Sequence, residues 1–161
     1  MIEKNVREQI IALMKREVVP AVGCTEPMAV ALCVSRATEA LGCQPEKIIV
    51  LLSANILKNA MGVGIPGTGM IGLPIAVALG ALIGKSEYQL EVLKDVNPDA
   101  IERGKQFIDE ERIEIHLKQE CCDKLYVEVL CEGGGHRSCA IIQGSHTHFV
   151  RVTRDDEVLL D

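Results

Sequence analysis
The order of patterns along these 161 residues predicts an α+β fold, with helices first and strands second. Apolar residues recur at helical spacing through most of the first two thirds. From residue 112 onward, short alternating or apolar runs are separated by turn signals, as in an antiparallel meander of about four strands. Within the helical part lies a glycine-dense loop, 58–72. Nothing repeats, and the whole chain reads as a single domain, 1–161.

Residues 2–17 place Ile2, Val6, Ile10, Leu13 and Met14 on one face among charged residues, an amphipathic helix ended before Pro20. The run 27–41 is apolar on most sides, a buried helix stopped by Gly42. Residues 47–53 are β-branched and leucine-rich, as in a strand. The loop from Lys58 to Gly72 leads into an apolar helix at 73–83; 86–94 and 98–109 follow as helices, the second entered through Asn97-Pro98. Strands are expected at 112–119, 124–132, 137–143 and 146–153, and another apolar segment begins at 157–160.

Composition narrows the function. Hydrophobic residues make up 48% but aromatics only 2%, so the core must be built from Ala, Val, Ile, Leu and Met. A net charge of −6 argues against a polyanion surface, hence against nucleic acid as partner. The stretch 70–84 is apolar but broken by Gly72, Pro74, Gly80 and Gly84, which favours a buried helix over a membrane span. Seven cysteines, an odd number with no CxxC spacing, argue against both a disulfide framework and a self-contained metal site; a reducing cytoplasm is expected.

Three segments carry chemistry. In Pro-Ala-Val-Gly-Cys-Thr-Glu-Pro, 20–27, Cys24 stands at or just before a helix start, where the helix field favours a thiolate. A buried small hydrophobe at a turn is the plainer alternative. Glycines 62, 64, 67, 69 and 72 form a loop whose N–H groups can cradle an anion, and it lacks both the Walker and the dinucleotide spacing. That loop suits a small carboxylate, or it is simply a tight connection. His146 and His148, two apart at the start of a strand, would share a face and suit a metal or an acid–base pair.

Together 20–27, Ser-Ala-Asn-Ile-Leu-Lys-Asn at 53–59, Gly-Val-Gly-Ile-Pro-Gly-Thr-Gly at 62–69 and His146-Thr147 resemble the N-terminal part of the L-cysteine desulfidase family, related to iron–sulfur L-serine dehydratases. The resemblance implies a lyase that converts L-cysteine to pyruvate, ammonia and hydrogen sulfide with a [4Fe–4S] cluster. Cys24 would be the catalytic base, or alternatively a cluster ligand. Lys58 and the N–H groups from Gly62 through Gly64 and Gly67 to Gly69 would hold the substrate carboxylate. Asn55, Asn59, Thr68 and His146 would orient the substrate. That family tends to have Asn where this chain has His148. Its cluster cysteines lie mainly in a C-terminal part, so the resemblance makes this chain the N-terminal domain of a longer or split enzyme. The expected partners are a small amino-acid substrate and a C-terminal cluster-binding domain or chain; a homo-oligomer is compatible. L-serine dehydration, or a non-catalytic amino-acid-binding or regulatory module, are the alternatives.

Overall fold
The computed structural model describes residues 25–60, 64–65, 70–71, 73–118 and 125–160. The expected helix at 2–17 lies outside them. Helix α1, Thr25–Leu41, is followed by strand β1, Lys47–Leu52, and the short helix α2, Ala54–Ala60. A two-stranded ribbon, β2 (Gly64–Ile65) with β3 (Met70–Ile71), occupies part of the glycine loop. Then come α3, Leu73–Leu82, a 3-10 helix, Ser86–Glu91, and α4, Pro98–Asp109. Strands β4 (Ile113–Leu117), β5 (Tyr126–Gly133), β6 (His136–Gln143), β7 (Phe149–Arg154) and β8 (Glu157–Leu160) complete the order.

The fold is α+β, but the four-strand antiparallel meander is corrected to a six-stranded mixed sheet in the order β4-β1-β5-β6-β7-β8. β1 inserts between β4 and β5, pairing parallel with β4 and antiparallel with β5. The apolar run at 157–160 adds the last strand. The expected helix at 86–94 is replaced by 3-10 turns over Ser86–Glu91, kinked at Gln89, where φ is 51°. The fourth expected strand begins at Phe149 rather than 146, after a turn.

Alternation along the strands decides which face is buried. Val50, Val129, Ala140 and Val152 sit opposite one another on successive strands and are all fully buried. Leu52, Val127 and Ile142 make a parallel row. Helix α1 packs on this face against β5, β6 and β7, and on its other side against α3 and the 3-10 helix. Being covered on both sides, it is apolar almost all round, with Val30, Leu32 and Val34 fully buried. Each such side chain contributes about 1.5–3 kcal/mol. α3 is equally enclosed, which bears out the buried helix expected there. No described helix is long and apolar enough to cross a membrane. α4 instead buries one stripe, Ala100, Gly104 and Phe107, and its Asn97 side chain caps the helix by accepting from Ala100 N–H at 2.8 Å.

Three of the thiols are held inside the α1–sheet contact or on the sheet. Cys33 is fully buried and its Sγ–H donates to Ala140 O at 3.2 Å. Burial pushes Cys33 well above the ordinary thiol range, Cys131 up to about 12 and Cys139 up to about 11. In the unfolded chain these thiols ionise near about 8.5, so above that pH the folded state binds more protons than the unfolded one. Stability is therefore expected to be full below about pH 8.5 and to fall as pH rises toward the folded-state values. Urea midpoints at about pH 8 and about pH 10 check this, and Cys131→Ala should flatten the dependence. Equal midpoints with an unchanged slope in that variant would contradict the burial of these thiols.

Candidate functional site
Three ties fix the direction of α1 across the sheet. Near its C-terminus, Ser138 Oγ donates to Ala37 O at 2.7 Å and Arg154 Nε to Leu41 O at 3.4 Å. Cys33 marks the middle. At its N-terminus, Glu26 meets His146. α1 thus runs opposite to β1, and its first turn lies at the end of the sheet where β1 stops and α2 begins. The turn between β6 and β7 arrives at the same end.

That turn is specified by its own backbone. Gly144 takes φ +89°, its N–H donates to Leu125 O at 3.1 Å, and Gln143 N–H donates to His148 O at 3.1 Å. His148 Nδ1 lies 3.0 Å from Gln143 O; a carbonyl only accepts, so Nδ1 carries the proton and this ring serves the turn. The expectation that His146 and His148 share a strand face is corrected: both precede β7, and each ring has a different partner.

His146 Nε2 lies 3.2 Å from Glu26 Oε2, the side chains 34% and 17% exposed. The pair joins residues 120 apart in sequence, and Glu26 occupies the first turn of α1, where a carboxylate complements the helix field. An ionised Glu26 only accepts, so it takes the Nε2 proton, and no described residue hydrogen-bonds His146 Nδ1. This ring nitrogen can accept a hydrogen bond or a proton. The sequence singles out His146 but not Glu26, whose place in the 20–27 motif, at a helix start, is the available signal.

Asn55 and Lys58 are exposed on α2, which packs on α1. Lys58 and Asn59 therefore belong to a helix rather than to the opening of the glycine loop. Gly64 lies in β2. Cys24, Gly62, Gly67, Thr68 and Gly69 lie outside the described residues, as do Cys121 and Cys122. The described residues contain no group of three or more His, Cys, Asp or Glu able to hold a metal ion. A separate polar cluster, Tyr126 O–H donating to Glu128 at 2.7 Å and Lys118 Nζ 3.1 Å from the same oxygen, sits in alternation with the α1-facing residues, on the other face of the sheet. It ties the exit of β4 to β5 and does not join Glu26.

No protein-family model matches this chain, and no solved structure does. Among curated proteins it is 72% identical over 155 residues to a UPF0597 protein of Bacteroides fragilis. It is 66% identical over 161 residues to a UPF0597 protein of Bacteroides thetaiotaomicron, and 45% over 159 residues to one of Porphyromonas gingivalis. These matches cover 96%, 100% and 99% of this chain but 36%, 37% and 37% of the relatives, so the chain spans little more than a third of their length.

These relatives overturn the resemblance to the L-cysteine desulfidase family. They match nearly the whole chain under a different family name, which refers neither to a desulfidase nor to a serine dehydratase. The expected iron–sulfur lyase, and its reading as an N-terminal lyase domain, fall with it. The physical reason lies in the motifs: a capped helix start and a glycine-rich loop meet backbone requirements that many chemistries share.

Proposed function
We propose that the end of the sheet where Glu26 meets His146 binds a small α-amino acid, or a zwitterion of similar size, within a longer protein. The Glu26–His146 contact carries this reading, because it brings a carboxylate and an available ring nitrogen to a half-open position beside α2. The ligand ammonium donates to Glu26 and to His146 Nδ1. Its carboxylate is met by Lys58 and Asn55 from α2, with the glycine loop at 62–69 as the further source of N–H donors. Cys24, next in the chain to the first turn of α1, completes the candidate set. The net charge of −6 supports a small ligand over a nucleic acid. The free thiols Cys33, Cys43, Cys131 and Cys139 support a cytoplasmic setting.

The test is an NMR titration of the His146 ring signals with glycine, alanine and serine, with acetate and ethylamine as single-charge controls. Saturable shifts are expected for the amino acids, with either control binding at least tenfold more weakly, because one charge-assisted hydrogen bond is worth about 1.5–3 kcal/mol. Absence of a saturable shift, or equal binding of acetate, would refute a zwitterion site.

A further inference from the structure
Three of the four large exposed apolar side chains of the described residues lie on one strand. Val158, Leu159 and Leu160 of β8 are 48%, 43% and 42% exposed; the other such residue, Leu117, lies on β4 at the opposite edge. β8 is an edge strand, hydrogen-bonded among the described residues to β7 alone, so its far side presents free backbone donors and acceptors. Natural edge strands are usually blunted by lysine, by proline or by a covering element. β8 carries neither residue, and its one charge, Glu157, stands at its start.

The strand is nevertheless held in place. In the turn that feeds it, Asp155 N–H donates to Arg137 O at 2.7 Å. The Asp155 carboxylate accepts from Arg137 N–H at 3.0 Å and lies 2.8 Å from His136 Nδ1. A fixed, extended, apolar edge is the template that strand addition requires. The curated relatives supply the occupant, because roughly two thirds of their length lies beyond the stretch this chain matches, and a chain of that length has further segments to place.

We propose that β8 is a docking edge for an extended segment from the remainder of the longer polypeptide. That segment adds as a further strand beside β8, pairs with its free backbone groups and covers Val158, Leu159 and Leu160. Its own sequence must alternate apolar side chains to match the pleat.

Amide hydrogen exchange tests this on two proteins: the 161-residue chain by itself and the longer Bacteroides fragilis relative. In the longer protein the segment aligned with β8 should exchange at least tenfold more slowly than β8 does here, while the segment aligned with the opposite edge, β4, should change much less. Equal exchange at β8 in the two proteins would overturn the proposal. So would slow exchange at β8 in this chain alone accompanied by a dimer in sedimentation, which would make a second copy the occupant.

Discussion

Gly80→Ala is expected to lower the melting temperature by roughly 6 °C. A Cβ at Gly80 would stand 2.7 Å from Ala31 O and 3.2 Å from both Ala31 Cα and Val34 Cβ. The nearest of these belong to the α1 backbone, which is enclosed between the sheet and α3 and has no room to retreat. Over-packing of this kind costs about 1–3 kcal/mol and sometimes more, and the better helix propensity of alanine returns up to about 1 kcal/mol. A net loss near 2 kcal/mol corresponds to about 4–8 °C in a domain of this size. Gly80→Val should cost more, since it adds two methyl groups to the same contact. Gly42→Ala is the useful comparison: a Cβ there would meet nothing within 4 Å, yet φ is +83°, so its cost is conformational alone, about 1 kcal/mol. Thermal melts followed by circular dichroism order the three. If Gly80→Ala melted like the parent chain, α1 and α3 would not cross this closely.

Glu26→Gln and His146→Ala are each expected to weaken amino-acid binding by about tenfold to a hundredfold, while moving the melting temperature little. Both substitutions remove one partner of a charge-assisted hydrogen bond, a loss of about 1.5–3 kcal/mol, and tenfold in affinity corresponds to about 1.4 kcal/mol. Glu26→Gln keeps the size of the side chain and an oxygen in the first turn of α1, so it isolates the charge. Stability is spared because His146 is a third exposed, and a side-chain contact that water can reach contributes little to folding. Lys58→Met should weaken binding through the ligand carboxylate alone, and it should leave the affinity for ethylamine unchanged. Isothermal titration with alanine reads all three variants. Full affinity in Glu26→Gln would remove the carboxylate from the site.

Local patterns explain why some of the fold is legible in the sequence. α1, α3 and α4 announce themselves through apolar spacing and through Gly42 and Asn97-Pro98 at their boundaries. β5 and β6 alternate and are joined at Gly134 and Gly135, both at positive φ. The parallel pairing of β1 with β4 is not legible, because it joins runs some sixty residues apart and no turn chemistry specifies it. Gln89 kinks the 86–91 segment, where its neighbours favour a helix, through a backbone conformation that a glutamine does not advertise. At the site, His146 stands out by residue type, whereas its partnership with Glu26 is tertiary and spans 120 positions. Strand alternation does not apply to His148, because the Gly144 turn delays the strand to Phe149. The family resemblance fails for a related reason: its motifs record backbone geometry more than the reacting groups around it.

The proposed site requires Glu26 and His146 to act as one unit toward a zwitterion, and a double-mutant cycle on alanine affinity measures that directly. With Glu26→Gln, His146→Ala and the double variant titrated under one set of conditions, a coupling of about 1–3 kcal/mol is expected, the double variant binding scarcely worse than either single one. Losses that add to within about 0.5 kcal/mol, or single variants that bind as well as the parent chain, would contradict a joint site.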